Sequence, residues 1–233
     1  MIHTSAVISE KAVLGKNNMR RLDGLTILRF FAAFWVFIFH LNIRIPLGLP
    51  VKLTSIISSG AVAMPVFFML SGFVLGYNYF ERYAGFYSFF RARVLRIYPA
   101  YFLGVLLCLP LVQCADVKNL MSIILMDVFL VQAWYPNLWG FWHHSGTWSI
   151  SVEIFLYASF PLFLPFKQVS TKFLWLMIWG CWVFASSFVP SLWLHASTDV
   201  VFPVFYAIPI YSLPVFIIGV ALSKLYANAV GGA

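Results

Sequence analysis

Arg29-Phe-Phe-Ala-Ala-Phe-Trp-Val-Phe-Ile-Phe-His40 sets two ionisable side chains eleven positions apart inside an otherwise apolar run. At about 100° per residue that spacing closes roughly three helical turns, so Arg29 and His40 share one face of a helix. A positive charge inside a transmembrane helix is costly and is normally turned toward the bundle interior or a water-filled cavity, which marks the pair as a candidate functional site. The plainer alternative is a long helix whose Arg29 snorkels to one headgroup layer while His40 sits in the other.

Working outward, the chain of 233 residues is 62% hydrophobic, 19% aromatic and only 9% charged, with mean hydropathy +0.91. That much apolar surface cannot be hidden in a single water-soluble core of this size. The sequence therefore reads as all-α, a polytopic transmembrane helix bundle surrounded by a lipid bilayer. Its formal charge of +8 would suggest nucleic acid in a soluble domain, but here the basic residues flank apolar runs and set topology, so no nucleic-acid partner is expected. Met1 to Arg21 is polar and the first long apolar run is too extended for a cleavable signal. Cys108, Cys114 and Cys181 show neither an even count nor ligand spacing and read as small core residues.

Six runs are long enough to cross a bilayer: Leu25 to Leu41, Gly60 to Tyr79, Ile97 to Cys114, Thr147 to Phe166, Phe173 to Val189 and Phe202 to Leu222. A seventh, Leu120 to Trp134, is shorter and carries Asp127 and Gln132. If it does not cross, Lys11, Lys16, Arg20, Arg21, Arg82, Arg91, Arg93, Arg96, Lys167, Lys172 and Lys224 fall on the cytoplasmic side, against Arg44, Lys52 and Lys118 outside. The positive-inside pattern thus predicts six spans plus one re-entrant or interfacial helix on the non-cytoplasmic side, with both termini cytoplasmic.

The tail, residues 1–20, holds a separate pattern. In Ile2-His-Thr-Ser-Ala-Val, Ile8-Ser-Glu-Lys-Ala-Val and Leu14-Gly-Lys-Asn an aliphatic residue recurs every six positions. This is similar to the hexapeptide repeat of left-handed β-helix acyltransferases, but so few repeats cannot bury a core of their own. A tail followed by a transmembrane domain over residues 21–233 is the expected organisation.

Four further motifs stand in a fixed order: Leu22-Asp23-Gly24-Leu25 leading to Arg29 and His40, then Phe67-Phe-Met-Leu-Ser71-Gly72-Phe73, Arg93-Val-Leu-Arg96-Ile-Tyr98-Pro99, and Thr147-Trp148-Ser149-Ile-Ser151-Val-Glu153. In this order the chain resembles membrane-bound acyltransferase-3 proteins from about Arg21 to its end, including Leu213-Pro214-Val-Phe-Ile-Ile-Gly219. The resemblance implies a bundle of about ten helices, so the chain, which ends at Ala233, is expected to lack the family's C-terminal helices and to have little activity unless it dimerises or is complemented. It implies a bacterial cytoplasmic (inner) membrane setting and transfer of an acyl group, usually acetyl, from a coenzyme A thioester to a hydroxyl of a cell-surface glycan such as lipopolysaccharide. Acetyl-CoA is then a donor substrate, with no permanently bound cofactor. A homo-oligomer is left open.

Residue chemistry supplies the roles. Imidazole has the right unperturbed pKa for a base near neutral pH, which makes His40 the candidate general base. Arg29 supplies fixed positive charge to a coenzyme A phosphate or to the developing oxyanion. Glu153, a carboxylate inside an apolar helix, needs a partner, for which Arg29 or His40 is available. Asp23 is the second carboxylate placed to pair with a cation. Arg93 and Arg96 share a helix face three residues apart, and paired guanidinium groups suit a diphosphate; the competing role is topological anchoring.

Ser71 and Gly72 read first as packing residues that let helices approach. Ser149 and Ser151 are supporting hydroxyls, without the nucleophile-elbow pattern of a catalytic serine. His143 and His144 lack further spaced ligands, so no metal site is expected. The rival from another class is a membrane transporter using the intramembrane Arg, His and Glu as a relay.

Overall fold

The computed structural model describes residues 22–108, 117–135, 147–188, 191 and 206–231. The hexapeptide-like tail, Cys114, His143 and His144 lie outside them. The chain divides into two compact units, Met1–Gly60 and Ala61–Ala233. Among the described residues all regular structure is helical.

The first unit contains α1 (Asp23–Arg44) and α2 (Val51–Ser58), the latter running into a 3₁₀ turn. Asp23 stands in the first turn of α1, where a negative charge complements the helix dipole. At the other end Ile45 is extended, as the following Pro46 favours. The chain then returns beside the second half of α1, where the Trp35 indole Nε1 donates to the Ile56 carbonyl at 2.9 Å. Gly60 permits this close return, since a side chain there would meet Phe39 Cβ at 2.5 Å.

The second unit holds α3 (Ala63–Tyr79), α4 (Phe86–Cys108), α5 (Val117–Phe129), α6 (Trp148–Ser159), α7 (Thr171–Val183) and α8 (Leu213–Gly231). A 3₁₀ stretch, Phe160–Gln168, extends α6; Pro161 and Pro165 within it cannot donate the backbone bonds of a regular α-helix. Its core joins Phe68 and Leu75 of α3, Val152, Leu156 and Phe160, and Phe216 and Val220 of α8. The α3–α8 crossing depends on glycine: a Cβ on Gly72 would collide with the Phe216 carbonyl, and one on Gly219 with the Met69 carbonyl. The packing role expected of Gly72 is what the structure displays.

Five helical runs are long and apolar enough to cross a membrane: Asp23–Ile43, Val51–Tyr79, Trp148–Gln168, Thr171–Phe188 and Pro209–Val230. They correspond to five of the six spans expected from sequence, in a multi-pass membrane protein. The remaining expected span, Ile97 to Cys114, lies within the described residues only as far as Cys108. Its helix starts eleven residues earlier at Phe86 and takes in Arg91, Arg93 and Arg96, so the described part falls outside the apolar set. Hydropathy stops at an arginine, whereas helix formation does not, because Arg is a good helix former.

Among the described residues the run containing Asp127 forms the 13-residue α5, about 20 Å long and short of a bilayer core. Leu130 follows with φ +58°, a left-handed conformation that stops the helix, and a 3₁₀ turn comes next at Gln132–Trp134. The segment is tied to its neighbours by polar groups. The buried Tyr101 hydroxyl of α4 donates to Asp127 Oδ1 at 2.6 Å, and Gln132 Nε2 donates to the Thr147 carbonyl at 2.8 Å. Protein contacts of this kind are what a segment that does not span requires at membrane depth.

Candidate active site

In the first unit, α1 is continuous from Asp23 to Arg44 and therefore carries Arg29 and His40 on one stripe. Eleven residues of rise place them about 16 Å apart along the axis. Arg29 is half-buried, while Asp23 and His40 are exposed. The His40 ring meets Phe39 edge-on at 5.0 Å. The helix thus presents a guanidinium and an imidazole at two levels, too far apart to act on one atom.

The second unit gathers the other polar groups along α6. Glu153 is half-buried, and its Oε1 accepts hydrogen bonds from the Ser71 hydroxyl of α3 at 3.2 Å and from the Tyr157 hydroxyl one turn along α6. Among the described residues of this unit its partners are hydroxyls, not a cation. Ser71, expected to be a packing residue, is therefore also a donor to the carboxylate. Arg93 and Arg96 lie within electrostatic reach of Tyr157.

Arg93 is held firmly. Its Nη2 donates to the Tyr79 hydroxyl at 2.6 Å, and its Cζ lies 5.1 Å from the centre of the same ring, which adds a cation–π contact. The Nε donor of Arg93 is buried without a hydrogen-bond partner among the described residues. A buried guanidinium donor left unmet is costly and suits an anion that arrives from outside the protein. Arg96 is exposed beside it.

Ser151 is fully buried and accepts the Ala133 backbone N–H at 3.3 Å, which ties α6 to the turn after α5. Ser149 stands in the first turn of α6 and is half-buried. Among the described residues no group of three or more His, Cys, Asp or Glu side chains could hold a metal ion.

Sequence reasoning found Glu153, Arg93 and Arg96 but missed Tyr79 and Tyr157. The signal for Tyr157 was its position four residues after Glu153, where side chains on a helix meet. Tyr79 had no comparable signal, because its contact with Arg93 spans a turn through Gly85, whose φ of +115° favours glycine.

A family model described as an acyltransferase domain, acyltransferase-3, matches residues 22–230. The chain is 30% identical over 167 residues to the protein named Acyltransferase MdmB of Streptomyces mycarofaciens, a match covering 66% of this chain and 42% of that protein. The chain therefore spans well under two thirds of the relative's length. No solved structure matches it. With its motifs in register and the match extending over nearly all described residues, the chain belongs to the acyltransferase-3 family.

Proposed function

We propose that the chain acts in membrane O-acyltransfer, moving an acetyl group from acetyl-CoA to a hydroxyl of a cell-surface glycan at a bacterial cytoplasmic membrane. The observation that carries this reading is Arg93, anchored on Tyr79 with its Nε unmet and Arg96 exposed beside it. Two guanidinium groups, one of them pre-oriented, form a cradle for the diphosphate of a donor arriving from the cytoplasm. With both termini cytoplasmic, positive-inside topology sets this end of α4 on that side.

In the transfer step, His40 takes the proton of the acceptor hydroxyl as its oxygen attacks the thioester carbonyl carbon. The tetrahedral intermediate collapses with cleavage of the carbon–sulfur bond, and the proton held by the imidazole passes to the departing coenzyme A sulfur. The products are an ester and a free thiol. The length of α1 between Arg29 and His40 favours donor phosphate over oxyanion as the partner of Arg29. Glu153, with Ser71 and Tyr157 as donors, fixes a negative charge within the bundle.

Steady-state transfer of radiolabelled acetyl from acetyl-CoA to a glycan, in proteoliposomes, tests the reading. His40→Ala is expected to abolish transfer while leaving membrane insertion intact. Transfer by His40→Ala within a few-fold of wild type would remove His40 from the mechanism.

A further inference from the structure

The second unit carries the Arg93–Tyr79 contact at one end and an aromatic-walled cavity at the other. At the end away from the arginines, a cavity of about 150 Å³ is lined by Phe68 of α3, Trp148 at the start of α6, Tyr206, Tyr211 and Ser212 just before α8, and Val215 in its first turn, among others. Its aromatic walls stand at angles to one another. Trp148 meets Phe68 at 6.3 Å with 75° between ring planes, and Tyr206 at 4.9 Å with 54°. The Tyr206 hydroxyl donates to the Ala61 carbonyl at 2.5 Å, which fixes that ring. Ser212, 7% exposed, brings a hydroxyl-bearing side chain to the lining.

These features specify an occupant. A cavity of about 150 Å³ takes a single six-membered ring, and it falls below the roughly 300 Å³ of sites for larger ligands. Angled aromatic faces, negative at their centres, suit the slightly positive C–H faces of a saturated ring. A serine in the lining offers a hydrogen bond to an occupant that can take one. A hydrocarbon tail would satisfy the first two conditions but make no use of Ser212. A sugar ring, apolar on its faces and hydroxylated at its edge, satisfies all three.

We propose that this cavity binds one sugar ring of the acceptor, stacked against Trp148 and Tyr206 and hydrogen-bonded to Ser212. The proposal rests on the reading of the chain as a glycan O-acyltransferase and deepens it by assigning the acceptor a place. Trp148 opens the helix that carries Glu153 five residues later, about 7.5 Å further along the axis, with Tyr157 another turn beyond. The acceptor thus enters from the non-cytoplasmic end of α6 and the donor from the end marked by Arg93.

Saturation-transfer NMR on the full chain in lipid nanodiscs tests the assignment with methyl β-glucoside, methyl α-mannoside, cyclohexanol and hexanol as probes. Acetyl-CoA binding is measured on the same samples. At least one glycoside is expected to bind more tightly than either alcohol. Trp148→Ala should weaken it about tenfold or more, Trp148→Phe should restore much of that loss, and Ser212→Ala should weaken it about three- to tenfold. Acetyl-CoA binding should not change in any variant, which separates loss of the cavity from loss of the fold. Equal binding of hexanol and the glycosides would overturn the proposal, as would glycoside binding unchanged in Trp148→Ala. Glycoside binding that depends on Trp148 in a chain without acetyl-CoA binding would uphold the cavity and remove the donor reading.

Discussion

Arg93 engages Tyr79 twice, donating to its hydroxyl at 2.6 Å and lying with Cζ 5.1 Å from its ring centre. The two contacts fix the direction of the guanidinium before any ligand arrives. Tyr79→Phe keeps the ring and removes the hydroxyl. A hydrogen bond to a charged group contributes about 1.5–3 kcal/mol; part of that should appear as an acetyl-CoA affinity weakened by about fivefold or more. Arg93→Ala should weaken it further, and acceptor affinity should remain near wild type for both. Equal losses for the two substrates would favour the anchoring role of the arginines.

Glu153 and Tyr157 form the next test. Glu153→Gln preserves shape while removing charge, and it should reduce transfer by about tenfold or more with helical content unchanged. Tyr157→Phe leaves Ser71 as the carboxylate's hydroxyl donor in this unit and should have a smaller effect in the same direction. Circular dichroism and turnover measured together check both. Full activity in Glu153→Gln would place the carboxylate outside the reaction.

The sequence disclosed charges more readily than their partners. Glu153, Arg93 and Arg96 stand out because an ionised group in an apolar helix needs an explanation. Tyr79, Tyr101 and Tyr157 did not stand out, since a tyrosine in such a run also reads as an aromatic at the membrane interface or in the core. The polar run of α5 was legible through Asp127 and Gln132. The hydroxyl that meets Asp127 is 26 residues away and had to be seen in three dimensions. Arg93 and Arg96 stand on the helix where their spacing places them, and α4 begins further back, at Phe86, beyond the reach of an apolar window that ends at Arg96.

The glycines at the α3–α8 crossing should be intolerant of substitution. Gly219→Ala drives a methyl group into the Met69 carbonyl, and Gly72→Ala does the same at Phe216. Overpacking of this kind costs about 1–3 kcal/mol. Both variants should unfold at lower temperature in detergent than wild type, whereas Gly104→Ala, with open space around it, should not. Equal melting of all three would refute the tight crossing.

The α5 segment should not traverse the bilayer. In a variant lacking the native cysteines, Met121→Cys and Tyr135→Cys, both at exposed positions, should react with a membrane-impermeant thiol reagent from the same, non-cytoplasmic side. Labelling from opposite sides would make α5 a span and reverse the topology of every helix after it.

The central claim is that the Arg93 and Arg96 end of the bundle is the donor site. Its most direct test is equilibrium binding of radiolabelled acetyl-CoA to the full chain in vesicles of defined orientation. Saturable binding is expected when the cytoplasmic face is accessible, with a loss of about tenfold or more in the Arg93→Ala, Arg96→Ala double variant. Equal binding by wild type and the double variant, or binding confined to the opposite face, would contradict the account.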